Sequence, residues 1–239
     1  MNVKAAVKSA LKEMWFRLPH IRRRQNRYLA WIRAQYDYSA KPPSILTPSC
    51  IGGLISHNLG LAFRSPTVNL WMDNHDFVKF ACDLQHYLSM ELTFLAPGEK
   101  TEQFQEGDYP VGKLGDLTVY FNHYRSDEEA KDAWNRRRER VDAQNLFLIC
   151  DDNRLSDEEI AALQKVPCKR MILFTARPRP ELPNSFWMRR YESLGYLDNY
   201  NVREPDGFRE FERVFNYARW LNGEKDFAIG EGQFPPEVA

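Results

Sequence analysis

The chain has 239 residues, of which 43% are hydrophobic and 13% aromatic, enough to bury a sizeable core without disulfides or structural metal. Formal net charge is zero, but residues 1–41 hold ten Lys or Arg against Glu13 and Asp37, so the remainder is acidic by eight. The longest apolar runs fall far short of the ~20 residues that cross a bilayer, and the four cysteines form no C-x-x-C pair, which points to reduced thiols in a cytoplasmic protein.

In chain order, Val3 to Leu18 has apolar residues at i, i+3, i+4 and i+7 with Lys4, Lys8 and Lys12 opposite, so a helix is predicted that ends at Pro19. A second helix is predicted from Ile21 to Tyr36, closed by Pro42-Pro43. Residues 1–43 thus form a basic amphipathic arm, with two readings. Either residues 1–41 lie on an anionic membrane surface, placing the protein at the inner face of the membrane, or the apolar stripe packs on the rest of the chain or a second subunit. No recognition-helix or base-stacking motif accompanies the arginines, so nucleic acid is not a predicted partner.

From Ser44 to about residue 225 short apolar runs alternate with helical periodicity, which predicts an α/β domain: a layered sheet with helices on both faces. Strands are predicted at Ser44–Thr47, Thr67–Trp71, Leu117–Asn122, Leu146–Cys150 and Arg170–Thr175. Helices are predicted at Gly52–Gly60, Asp76–Met90, Asp127–Asp142, Ser156–Lys165 and Asp206–Leu221, with a loop over residues 97–109 and a loosely held tail over 226–239. Ser156 and Glu159 have capping-box spacing.

Cys50 stands where the first strand gives way to a helix, with Gly52 and Gly53 behind it. A thiol there faces the positive end of the helix dipole, which favours the thiolate, and the first-turn N–H groups suit an oxyanion. His123, at a strand end, has the chemistry of a base, and Asp151, Asp152 or Asn153 of one to orient it. Each residue also has a plain structural role open to it: a buried thiol, a tight turn at Gly52-Gly53, a core histidine. Arg137 and Arg140 share a helix face suited to clamping phosphate or carboxylate, or to pairing with acids in solvent. Trp134 is more economically a core residue than a sugar platform. Asp151-Asp152-Asn153 after a strand resembles the acidic motif that holds Mg²⁺ or Mn²⁺ in nucleotide-sugar transferases, but such residues are ordinary turn and cap formers.

Cys50-Ile51-Gly52-Gly53, Leu59-Gly60-Leu61, Phe63, Ser65-Pro66-Thr67, Asn69-Leu70, Phe121-x-His123-Tyr124 and Trp134-x-x-Arg137-x-x-Arg140 together resemble the bacterial domain-of-unknown-function family nineteen-nineteen, whose members carry the label exopolysaccharide biosynthesis protein. A more distant likeness is to bacterial proteins described as papain-like cysteine enzymes. The resemblance implies a role in exopolysaccharide or capsule synthesis, with a surface-polysaccharide precursor or anionic glycan as partner. Catalysis would rest on Cys50, His123 and Asp151, and substrate binding on Gly52, Gly53, Ser65, Thr67, Arg137, Arg140 and Trp134. The family pattern has Asn before the Cys and an aromatic after it, where this chain has Ser49 and Ile51. No cofactor and no metal site is expected. The rival activities are nucleotide-sugar-dependent glycosyl transfer and a non-catalytic peripheral assembly factor.

Overall fold

The computed structural model describes residues 14–96 and 109–230. The first predicted helix lies mostly outside them, as does most of the loop over 97–109 and the end of the tail. The protein is α/β, and its chain divides into two compact units, residues 1–40 with 199–239, and residues 41–198. The segment from Asn199 onward therefore groups with the basic arm.

In the first unit α1 spans Pro19–Arg33, with Pro19 in its first turn. The same proline that closes the preceding turn thus opens this helix, because its fixed φ and missing N–H suit position N1. Ile21, Tyr28 and Ile32, on one helical face, are buried. Tyr28 packs edge-on against Phe208 at 5.6 Å and its hydroxyl lies 3.2 Å from that of Tyr217. The predicted helix over 206–221 is two, α7 (Glu210–Val214) and α8 (Tyr217–Leu221), because Asn216 leaves helical geometry and caps the second through Arg219 N. Residues 227–229 are held: Asn216 N donates to Phe227 O, and Ile229 N to Val214 O, both at 2.8 Å.

The second unit holds two four-stranded sheets. In the parallel sheet β1 (Ser44–Leu46), β6 (Leu146–Asp151), β7 (Arg170–Thr175) and β8 (Ser185–Trp187) lie side by side in that order. Leu46 sits beside Leu148, and Leu148 beside Met171. α2 (Ile51–Asn58) lies close over β1, while Leu46, Leu148, Cys150 and Leu173 point to a core shared with Phe77, Phe80, Trp134 and Ile160. Those four come from α3 (Asn74–Cys82), α5 (Asp127–Arg138) and α6 (Asp157–Gln164), so helices cover both faces. The capping box at Ser156 and Glu159 forms as its spacing predicts.

The antiparallel sheet runs β2 (Trp71–Met72), β5 (Leu117–Tyr120), β4 (Val111–Leu114) and β3 (Thr93–Phe94). The sequence reading misses β3, β4 and β8. The hairpin from β4 to β5 turns on Gly115-Asp116, with Gly115 at φ +63°, a backbone state that favours glycine. The strand predicted at Thr67–Trp71 shrinks to Trp71–Met72, since Asn69 takes a φ of +62° within a turn. The helix predicted over 76–90 breaks at Asp83 (φ −127°, ψ 51°) into α3 and α4 (Leu84–Ser89).

Candidate functional site

Ligands of open parallel sheets gather at the carboxyl ends of the strands. At the end of β1, Thr47 turns the chain into Pro48-Ser49 and then α2. Its N–H donates to Thr67 Oγ1 at 3.2 Å, and its hydroxyl donates to Ser49 O. Thr67 Oγ1 lies 2.9 Å from Ser65 Oγ, and both residues are buried. Ser65 and Thr67 therefore fasten the loop before β2 to the end of β1. Met72 N donates to Pro48 O at 2.8 Å, which brings the second sheet to the same place.

Cys50 is the residue before the first turn of α2, with helical backbone angles and no side-chain cap. It is half-buried, and its Sγ lies 3.8 Å from Leu70 O. The two glycines after it serve close packing. A Cβ on Gly52 would stand 3.2 Å from Ile45 O and from Thr47 Cγ2, and one on Gly53 would stand 3.0 Å from Val68 Cγ1. Burial pushes the thiol of Cys150 well up, and those of Cys82 and Cys168 up.

Asp151 ends β6 and is 7% exposed. Its Oδ1 accepts from Asn74 Nδ2 at 2.7 Å and from Asn153 N at 3.1 Å. Asn74 opens α3, capped by Asp73, so a residue 77 positions away fixes this carboxylate. Beside it, Asp152 has its carboxyl pushed up to about 6, first by burial, then by the charge of Asp151, with Arg179 opposing. His123 lies on the turn after β5, exposed on one side; protein crowding on the other holds its imidazole below the ordinary range. Among the described residues no hydrogen bond joins His123 to Cys50 or to Asp151.

Arg137 is buried. Its Nη1 donates to Val68 O at 3.2 Å and to the Tyr124 hydroxyl, and its guanidinium lies 5.2 Å from the centre of the Phe63 ring. Arg140 is exposed and reaches Phe63 O at 3.4 Å. The two arginines thus share a face, as their spacing predicts, and both grip the loop 61–70. Trp134 is a core residue, 6.1 Å from Phe80 and 6.3 Å from Phe121 between ring centres.

Sequence reasoning missed Asn74, which fixes Asp151 and whose signal is a second polar residue after a strand. Among the described residues no group of three or more His, Cys, Asp or Glu converges as a metal site.

A family model described as "Domain of unknown function (DUF1919)" matches residues 22–222. A protein of Haemophilus influenzae described as an uncharacterized protein is 30% identical over 181 residues, which cover 75% of this chain and 84% of that protein.

Proposed function

The chain belongs to the DUF1919 family, and we propose that it is a Cys50-dependent enzyme of exopolysaccharide or capsule synthesis, which acts by acyl transfer or hydrolysis on a surface glycan or its precursor. The observation that carries the reading is positional: Cys50 sits half-buried at the N-terminus of a helix on the carboxyl edge of a parallel sheet. The Cys50 thiolate attacks an acyl carbonyl, a thioester forms as the alkoxide or amine leaves, and an acceptor hydroxyl or water releases the acyl group. Such a helix end favours the thiolate. His123 takes the thiol proton and returns it to the leaving group; its lowered pKa keeps the ring neutral near pH 7, the state a base needs. That role requires the His123 ring to swing within hydrogen-bond reach when substrate binds. The glycan substrate rests on the resemblance read in the sequence motifs alone, since the matched relative is described as an uncharacterized protein.

The test is alkylation by iodoacetamide, read peptide by peptide. Cys82 is exposed but its thiol is held up by burial, so the urea-unfolded chain, in which all four thiols are equivalent, is the second reference. Cys50 should react on the order of tenfold faster than Cys82 in the folded protein near neutral pH, and His123→Ala should slow it. Equal rates at Cys50 and Cys82 would remove the thiol reading and leave glycosyl transfer or scaffolding in its place.

A second reading concerns the basic end. Met14 and Trp15 are 62% and 49% exposed, and Arg22 and Arg23 are exposed with them. Since α1 buries Ile21, Tyr28 and Ile32 within its own unit, Arg22 and Arg23 stand on its solvent side, where they can meet an anionic surface. The full chain should co-sediment with phosphatidylglycerol vesicles, be released by salt, and lose binding on Arg22→Glu with Arg23→Glu. Salt-insensitive binding, or none, would retire this reading. Among the described residues no helix is long and apolar enough to cross a membrane.

A further inference from the structure

The last residues of β6, β7 and β8 form two successive rows across the sheet. Asp151 pairs with Phe174, and Phe174 with Phe186, their rings 5.8 Å apart on one face. Asp152 N donates to Phe174 O at 3.0 Å, which carries the ladder one residue further, and Thr175 pairs with Trp187. The second row is therefore Asp152, Thr175 and Trp187, with side chains on the opposite face to the first because strands alternate.

Two of these three carry buried polar atoms that nothing in the described chain satisfies. Thr175 is 0% exposed and its hydroxyl has no hydrogen-bond partner; the Trp187 indole N–H is also buried and without one. Buried polar groups are nearly always paired, and two neighbours in one row at the carboxyl edge of a parallel sheet point the same way. Arg179 Nη1 stands 4.0 Å from Asp152 Oδ2, and the Arg189 guanidinium lies 5.0 Å from the centre of the Trp187 ring.

We infer that the Asp152–Thr175–Trp187 row is a binding site for a neutral polyhydroxyl ligand, such as a monosaccharide unit. The row offers an acceptor in Asp152, a donor in the indole, and a hydroxyl that does both, a mixture that matches sugar hydroxyls. Charge argues against an anion. Around the row Asp152, Asp157 and Glu181, all within 4.0 Å of Arg179, are three acids against the two guanidinium groups of Arg179 and Arg189. The site goes beyond the thiol chemistry of Cys50 and stands without it. A raised Asp152 pKa fits the same burial.

The experiment uses full-length protein with ¹⁵N-labelled tryptophan, in which Trp187→Phe assigns the Trp187 indole resonance and the other tryptophans serve as internal controls. N-acetylglucosamine, glucose and inorganic phosphate are titrated separately. At least one sugar should shift the Trp187 indole resonance saturably, with phosphate producing no saturable shift. Thr175→Val and Asp152→Asn should each weaken sugar binding on the order of tenfold, the size of one lost hydrogen bond to a buried group. Thr175→Val should also leave the thermal midpoint of the ligand-free protein unchanged or raised, because it removes a hydroxyl that has no partner. The inference is overturned if neither sugar shifts the resonance, if both variants bind sugar as tightly as the parent, if phosphate alone gives the saturable shift, or if Thr175→Val lowers the midpoint. Iodoacetamide kinetics at Cys50 are a separate measurement, so failure here and failure of the thiol reading are distinguishable.

Discussion

Replacing Arg137 by alanine should cost about 2–4 kcal/mol of folding stability, most of it from groups the sequence gives no reason to connect. The guanidinium donates to Val68 O and to Tyr124 Oη, and it faces the Phe63 ring. Hydrogen bonds to a charged group contribute about 1.5–3 kcal/mol each, a desolvated cation over an aromatic ring up to about 2 kcal/mol, and shared partners keep the total below the sum. Lysine should recover only part of the loss, since a point charge cannot serve a carbonyl, a hydroxyl and a ring face at once. Arg140→Ala is the internal control: its side chain is exposed with one long bond, and the change should stay within about 0.5 kcal/mol. Urea unfolding of the variants reads all of this. If Arg137→Ala unfolds with the parent's midpoint, Arg137 is not a strut, and a ligand clamp becomes its better description.

What the sequence showed of the fold follows from how local each signal was. β1, β6 and β7 were readable because buried parallel strands are continuous apolar runs, and α6 because Ser156 and Glu159 encode its start within four residues. β4 is readable in principle, because Gly115-Asp116 between two short runs is a hairpin signal. The helix breaks at Asp83 and Asn216 were harder, since a single Asp or Asn is tolerated in many helices and ends one only where tertiary contacts favour the turn.

The candidate site was less legible for the same reason. Cys50 and Asp151 were found from strand ends, but the contact that fixes Asp151 comes from Asn74, and the packing that demands Gly52 and Gly53 comes from Ile45, Thr47 and Val68. Ser65 and Thr67 look like ligand-facing hydroxyls in sequence; in the fold they satisfy each other and Thr47. Thr175 shows the converse. Its sequence context is that of an ordinary core strand, and only the absence of a partner for its buried hydroxyl among the described residues sets it apart.

The contribution of Asp152 to stability should fall as pH rises from about 4 to about 7, and Asp152→Asn should abolish that contribution. Asp152 has its carboxyl pushed up to about 6, against about 3.9 in an unfolded chain. A raised folded pKa means that the folded state holds the proton more tightly than the unfolded one. The contribution is therefore fully present below about pH 4 and is lost as pH climbs through about 6. Two pH units correspond to about 3 kcal/mol, and the side chain is only 18% exposed, so solvent screening removes little of it. Asparagine has nearly the same shape and never ionises. The variant should match the parent near pH 4 and exceed it by about 2–3 kcal/mol near pH 7, less a small loss from the Arg179 contact at 4.0 Å. Urea midpoints of both proteins at the two pH values measure the difference directly, and other titrating acids cancel because both proteins share them. Parallel pH profiles for parent and variant would mean that Asp152 ionises freely and that the carboxyl edge holds no proton near neutrality. A profile flattened in the variant would instead place at that edge an acid able to give or take a proton near pH 6, beside the two orphaned donors of Thr175 and Trp187.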